Sequence, residues 1–148
     1  MMEHIDIRLE TVLKAFIEDL SNQIGRGASE VARDLAWVGV GVQKEGGINI
    51  VGPFGFSRPL AELDLGEEKK KVAFWIEEEL IRELETEFGD SVRSALRKAL
   101  RLGILTCMHA KIKGPFGFER PLLGISISRF TNERAREAYD RLRSAQIQ

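Results

Sequence analysis

One nine-residue sequence, Gly-Pro-Phe-Gly-Phe-x-Arg-Pro-Leu, occurs twice in the chain, at residues 52–60 and at residues 114–122. Eight of its nine positions are identical in the two copies. The flanks alternate in the same way, because Leu63 and Leu65 follow the first copy while Ile125 and Ile127 follow the second. A period of two is typical of a half-buried β-strand. The repeat therefore predicts that the chain is a tandem duplication of one α/β unit.

The predicted unit is αββ(β)α, and the predicted fold class is α+β, with mainly antiparallel strands, amphipathic helices and a pseudo-twofold arrangement. We expect an N-terminal amphipathic helix within residues 1–27, a first α/β repeat in 28–88 and a second in 89–148. A chain of 148 residues suits one domain, or two half-domains that share one core.

Several local patterns support this division. One apolar stripe predicts a helix over residues 6–24, and Gly25 is a typical helix end. Ser29 and Ser91 are predicted helix N-caps, and Gly46 with Gly47 predicts a hairpin turn. Strands are predicted where apolar residues alternate before the loops. These residues are Val38, Val40 and Val42 in the first copy, and Leu100, Leu102 and Ile104 in the second.

At its start, the segment from Val72 to Phe88 fits both the period of two of a strand and the 3.6-residue period of a helix. Its partner in the alignment, residues 132–146, has Ala135, Ala138, Tyr139 and Leu142 at helical spacing. The comparison favours a helix for both segments. On such a helix Phe74, Trp75 and Ile81 lie beside the main apolar stripe. They are predicted either to form a subunit or partner interface or to be buried between the two half-units.

The repeated loop has two interpretations. Its glycines and prolines are sufficient to specify a connection between strands, in which the aromatic rings cover the core. Alternatively, two such aromatic and arginine-containing loops, related by a pseudo-twofold axis, form a paired binding surface that holds a symmetric partner or stacks on bases. The predicted binding residues are Phe54, Phe56, Arg58, Phe116, Phe118 and Arg120.

Two short segments resemble nucleic-acid-binding families. Residues 113–118, Lys-Gly-Pro-Phe-Gly-Phe, are similar to the aromatic core of the ribonucleoprotein-1 motif of RNA-recognition domains, although a proline interrupts that motif here. Residues 70–73, Lys-Lys-Val-Ala, are similar to a helix start in double-stranded-RNA-binding domains, which are also αβββα. These resemblances imply RNA or single-stranded DNA binding as an alternative function.

The charge balance and the apolar pattern indicate in which cellular compartment the protein is expected. Lys and Arg total 22 and Asp and Glu 23, so the whole chain has no general attraction for polyanions, although a local basic patch remains possible. One cysteine suits a reducing compartment. Apolar runs fall well short of the ~20 residues that span a bilayer, and the start is polar. We expect a cytoplasmic protein without membrane contact.

The chemical inventory argues against catalysis. Cys107 and His109 are two residues apart, but two ligands are too few for a structural zinc site, and a buried thiol beside a surface imidazole is the simpler interpretation. No phosphate-binding loop, nucleophile elbow or zinc-protease helix occurs. We therefore expect no cofactor, no metal and no enzyme. The predicted function is a protein-interaction or assembly module, homo-oligomeric or a subunit of a larger complex.

Overall fold

The computed structural model of the protein describes residues 1–47, 49–51, 57–62, 68–107, 111–113, 119–121 and 132–147. Five helices lie in this part of the chain: α1 (Thr11–Ile24), α2 (Ala28–Lys44), α3 (Glu78–Phe88), α4 (Val92–Cys107) and α5 (Glu133–Ile147). Its strands are β1 (Met2–Glu10), β2 (Asn49–Val51), β3 (Ser57–Pro59), β4 (Lys69–Glu77), β5 (Lys111–Lys113) and β6 (Glu119–Pro121), and a 3₁₀ turn covers Leu60–Glu62.

The two long strands, β1 and β4, pair antiparallel over nine residues each, from Met2 opposite Glu77 to Glu10 opposite Lys69. Apolar residues at every second position bury one face of this pair, namely Ile5, Ile7, Leu9, Phe74 and Ile76. Side chains alternate across a strand, so the residues between them lie on the opposite face. The exposed polar face of this two-stranded sheet is the surface on which the candidate site is built.

Helices α2 and α4 cross at the centre of the molecule with their backbones in contact. A Cβ atom on Gly39 would lie 2.0 Å from the carbonyl oxygen of Ala99, and one on Gly103 would lie 1.9 Å from that of Leu35. Only glycine leaves room for such an approach. The close crossing explains why α2 is buried nearly all round from Val31 to Val42.

The outer helices are amphipathic and cover this centre. Leu13, Ile17 and Leu20 of α1 and Leu80 and Leu84 of α3 are buried. Both helices end at a glycine in the left-handed conformation, which an L side chain seldom adopts. Helix α5 packs against α2 with one buried stripe, formed by Ala135, Ala138, Tyr139 and Leu142.

Two short strand pairs include the Arg-Pro dipeptide of the repeated sequence. Ile50 pairs with Arg58 in the β2–β3 hairpin, and Ile112 pairs with Arg120 in the β5–β6 hairpin. The register is therefore the same in both. Each hairpin is separate from the β1–β4 sheet within the described residues.

The predicted duplication of an αββ(β)α unit with many strands is wrong. The chain is α+β, but the described strands form only two-stranded antiparallel pairs among five helices. The residues around Val40 and Leu102, predicted as strands, lie in α2 and α4. Their alternation arises because glycines are interspersed in a helix buried on nearly every side.

The predicted helix starts are also corrected. Residues 6–10 belong to β1, and Val72–Glu77 belong to β4, so the helices begin at Thr11 and Glu78. In the repeat, residues 72–88 correspond to the segment that forms α5. The helical spacing of that segment favoured a helix for both, and the period of two in β4 was therefore overlooked. Gly46 and Gly47 do have positive φ, but they follow the end of α2.

The predicted N-caps have different outcomes. Ser91 directly precedes α4, and its Oγ accepts a hydrogen bond from the backbone N–H of Ser94. Ser29 lies inside α2, whose N-cap is Gly27, and its Oγ accepts a hydrogen bond from the backbone N–H of Trp75. Ser29 is therefore wrong as a cap. Among the described residues, no helix is both long enough and apolar enough to cross a membrane.

Candidate functional site

The exposed face of the β1–β4 sheet changes character along its length. His4 lies opposite Trp75 near one end, and Arg8 lies opposite Lys71 towards the other, with Asp6 opposite Ala73 between them. Directly opposed residues in an antiparallel pair share a face. One end of the face is therefore aromatic, and the other is cationic.

The cationic end continues into a groove of about 530 Å³ between the sheet and α4. We call this the cationic groove. Its charged lining consists of Arg8, Lys69, Lys71, Arg93 and Arg97, together with Asp6. Among the described residues lining it, five side chains are cationic and one is a carboxylate. Such an excess attracts anions, because the wall of the groove reduces screening by water.

Helix periodicity places the two arginines of α4 at the groove. Arg93 and Arg97 are four residues apart, so they are neighbours on one helix face. The other face of this helix carries Leu96, Ala99 and Leu100, which are buried in the core. Packing of that apolar stripe therefore fixes which way the two guanidinium groups project.

Arg97 has an unused donor within the described structure. Its Nε atom is buried and has no hydrogen-bond acceptor among the described residues. A buried donor without an acceptor is unfavourable by roughly 1–3 kcal/mol. Hydrogen-bonding capacity of the Arg97 guanidinium therefore remains unused within the described residues.

The carboxylate of Asp6 only partly neutralises the groove. It lies 3.7 Å from Nζ of Lys71 and 3.9 Å from Nδ1 of His4, and all three side chains are well exposed. An exposed ion pair such as that of Asp6 with Lys71 contributes about 0–1 kcal/mol. An incoming polyanion therefore meets little competition from Asp6.

Trp75 is 51% exposed and is held in place at the aromatic end. Its backbone N–H donates to Oγ of Ser29, and its carbonyl oxygen accepts a hydrogen bond from Arg33, so α2 fixes the strand edge. The ring of His4 lies 4.8 Å from the indole, tilted by 52°. Such a contact restricts the indole without covering it.

A second cleft, between α2, β4 and α5, has balanced charges instead of an excess of cations. Its volume is about 350 Å³. We call it the balanced cleft, because four arginines and four carboxylates lie among its described lining residues. They are Arg26, Arg33, Arg134 and Arg141, with Glu30, Asp34, Glu77 and Glu137.

The carboxylates at the centre of the balanced cleft are already paired. Asp34, which is 4% exposed, accepts hydrogen bonds from Arg26 at 2.9 Å and from Nη2 of Arg141 at 2.8 Å. Its hydrogen bond, followed by its charge, raises the pKa of Arg141 against the opposing effect of burial. Glu77 accepts from Nε1 of Trp37 at 2.7 Å and from Arg134 at 3.2 Å.

Arg134 completes the balanced cleft. Its guanidinium carbon lies 5.0 Å from the centroid of the Trp37 ring, within the range of a cation–π contact. It also forms an ion pair with Glu79 at 3.1 Å. The balanced cleft thus joins α5 to the rest of the molecule through ion pairs of Arg134 and Arg141.

Cys107 is not a reactive thiol in this fold. Burial, and secondarily the charge of Asp34, raises its pKa to about 12. The reactive thiolate is therefore scarce near neutral pH. His109, its predicted neighbour, lies outside the described residues. Among the described residues, no three His, Cys, Asp or Glu side chains are grouped to hold a metal ion.

Some of the predicted binding residues lie in the described part of the chain, and others lie outside it. Phe54, Phe56, Phe116 and Phe118 lie outside the described residues. Arg58 and Arg120 lie in the two short hairpins, where the description extends to the backbone only.

The three predicted interface residues have different environments. Phe74 is 2% exposed and belongs to the core, and Ile81 is partly buried against that core. These side chains face inward from a strand and a short helix, so of the two predicted alternatives, interface or burial, they agree with burial. Trp75 is the one of the three that is exposed.

The groove residues were missed, although two signals for them exist. Lys69, Lys70 and Lys71 are consecutive, and Arg93 and Arg97 stand at a helical spacing. The whole-chain charge balance concealed both patterns.

Comparison of the chain with protein-family models, with curated proteins and with solved structures found no match.

Proposed function

We propose that the protein binds nucleic acid through the sugar–phosphate backbone, without catalysis. The observation that carries this proposal is the cationic groove, which gathers five cationic side chains from three separate elements against one carboxylate. Arginine forks and lysine ammonium groups are the usual donors to phosphate oxygens in protein–nucleic acid interfaces.

The shape of the groove supports a chain of phosphates as the ligand. Arg8 and Lys71 lie on the sheet, whereas Arg93 and Arg97 lie on the adjoining helix, so the cations line two walls. A polyanion lying between these walls contacts both.

Salt dependence gives the first quantitative expectation. Each phosphate neutralised in single-stranded nucleic acid contributes about −0.7 to the slope of log K against log salt concentration. Four or five contacts therefore give a slope of about −3. Affinity falls steeply as ionic strength rises, although the net charge of the whole chain is −1.

The test is fluorescence anisotropy of a labelled oligonucleotide titrated with the wild-type chain and with the double variant Arg93→Glu, Arg97→Glu. We expect at least a 100-fold loss of affinity at low salt and a shallower salt slope. The matched control is Arg82→Glu, Arg136→Glu, which changes the net charge equally on exposed positions of α3 and α5.

The two variants separate local from global electrostatics. Loss of binding in the groove variant alone supports the proposal. Equal loss in both variants would show that only the overall charge matters and would contradict a defined site. Absence of binding by the wild-type chain at low salt would overturn the proposal outright.

Self-association is the second candidate function. The observation that favours it is the exposure of Met2 and Trp75 on the same end of the β1–β4 sheet. Exposed apolar groups of this size are common at protein contacts. Light scattering at rising protein concentration tests it, and a monomer that persists in the wild type would remove this candidate.

A further inference from the structure

Trp75 lies on the same surface as the cations that line the groove. It stands four residues from Lys71 along β4, and both face outward because their spacing is even. Four residues of a strand span about 13 Å. This distance matches about four nucleotides of a stacked strand, at roughly 3.4 Å each.

The indole of Trp75 is exposed and positioned without any ligand. Ser29 and Arg33 hold the backbone of Trp75, and His4 contacts its ring. A ring held in this way loses little conformational entropy when a flat ligand stacks on it. Its partner residue on the opposite strand, His4, offers a second aromatic ring at the same end.

The arrangement distinguishes single strands from duplexes. In a duplex the faces of the bases are covered by their neighbours, and a base must be unpaired and unstacked before it can meet a protein side chain. In a single strand these faces are accessible, and each base stacked on an aromatic side chain typically improves affinity about tenfold.

We propose that the protein selects single-stranded nucleic acid, with phosphates in the cationic groove and a base stacked on Trp75. This inference rests on the proposed function and adds its substrate class. The whole outward face of the β1–β4 sheet then acts as one site. Trp75 supplies the preference for single strands, and the groove supplies most of the salt-dependent affinity.

The tryptophan content provides a direct measurement. The chain has two tryptophans, and Trp37 is 3% exposed, so a change in emission on binding reports mainly on Trp75. Titration with an unlabelled oligothymidylate of about 12 nucleotides, within the range of known single-strand site sizes, is expected to quench this emission. The variant Trp75→Phe retains Trp37 alone and is expected to show no quenching.

Affinities for two forms of one sequence complete the test. We expect Trp75→Thr to lose about tenfold in affinity for the single strand and less than twofold for the duplex. Threonine retains the strand propensity of the position, and a thermal melt by circular dichroism verifies that the variant folds. The control is Val12→Thr, which removes another exposed apolar side chain, at the start of α1.

The outcomes distinguish this inference from the proposed function. If single strand and duplex bind the wild type equally, and Trp75→Thr leaves both affinities unchanged, the inference is overturned while the groove remains a nucleic-acid site. If neither form binds at low salt, the proposed function fails as well. Quenching that occurs with a preference for single strands supports the inference, and a parallel titration with oligouridylate compares RNA with DNA.

Discussion

Charged side chains line both flanks of the β1–β4 sheet, but their charges are balanced on only one of the two flanks. On the β4 side, the cations of the balanced cleft are matched by carboxylates, and Arg33 donates to the carbonyl of Trp75. On the β1 side, Arg93 and Arg97 project into the cationic groove, where five cations meet one carboxylate. The first flank carries equal numbers of cations and carboxylates, whereas the second carries an excess of cations, which favours an anionic ligand.

The carboxylates at the ends of the two long strands also differ in their surroundings. Glu10 and Glu77 each end a long strand just before a helix. Glu10 is fully buried and is bound by Nε and Nη2 of Arg101, at 3.1 and 2.6 Å. Glu77 is partly exposed, and Trp37 and Arg134 are its donors. The carboxylate at the end of β1 is therefore paired inside the core, whereas the one at the end of β4 is paired near the surface.

The largest expected effect comes from removing the donors to these two carboxylates. Arg101→Leu leaves Glu10 buried and unpaired, which we expect to reduce the free energy of unfolding by about 3–5 kcal/mol. Trp37→Phe leaves Glu77 with Arg134, so a loss of about 1 kcal/mol is expected. Urea unfolding followed by circular dichroism measures both, and equal losses would contradict the contrast between the strand ends.

The second effect tests the balanced cleft. Asp34→Asn removes the charge that Arg26 and Arg141 share, and we expect a loss of about 2 kcal/mol in the free energy of unfolding. Arg141→Gln should lose less than about 1 kcal/mol, because Arg141 is half exposed and Asp34 keeps Arg26. Thermal melts measure the two losses. A larger loss for Arg141→Gln would mean that Asp34 is not the centre of this cleft.

The third prediction introduces a carboxylate into the cationic groove, so that its charges resemble those of the balanced cleft. Arg93→Glu places a carboxylate in the first turn of α4 and four residues before Arg97, which we expect to stabilise the fold by about 0.5 kcal/mol. The same variant should bind an oligonucleotide about tenfold more weakly. Denaturant unfolding and anisotropy measure the two quantities on one sample. If stability and affinity fell together, the groove would be structural rather than functional.

The smallest effect concerns Asp90 and Lys98, which form an exposed ion pair at the start of α4. Their hydrogen bond lowers the pKa of Asp90 below its usual 3.8. Because the folded-state pKa is lowered, the resulting stabilisation is present above pH 3.8 and is lost as the pH falls through the folded value. Carboxyl NMR titration should show the pKa returning towards 3.8 in Lys98→Gln, and an unchanged pKa would contradict the pairing.

Several features of the fold are predictable from local sequence. The apolar stripe and Gly25 identify the body and the end of α1, and Ser91 marks the start of α4. The helix predicted over 132–146 is confirmed as α5. The matching registers of Ile50 with Arg58 and of Ile112 with Arg120 follow from the repeated sequence. These features depend on backbone preferences and short-range spacing.

Other features depend on distant partners and were predicted wrongly. Val72–Glu77 carries apolar residues compatible with either period, and its pairing with β1, more than sixty residues earlier, decides for the strand. In α2 the valines alternate with glycines, as in a strand, but the contact of Gly39 with α4 requires a helix. Tertiary contacts override local propensity in both cases.

The sequence by itself determined the apolar stripe and glycine end of α1, the cap of α4 and the helical spacing of α5, because these follow from interactions between near neighbours in the chain. It also contained Trp75, Lys71 and Arg93 without relating them. Only the tertiary structure decided that β1 pairs with β4 and that α4 lies beside this pair. The cationic groove exists because apolar packing orients three elements, and the charges on their outer sides then meet across distances that local sequence does not specify.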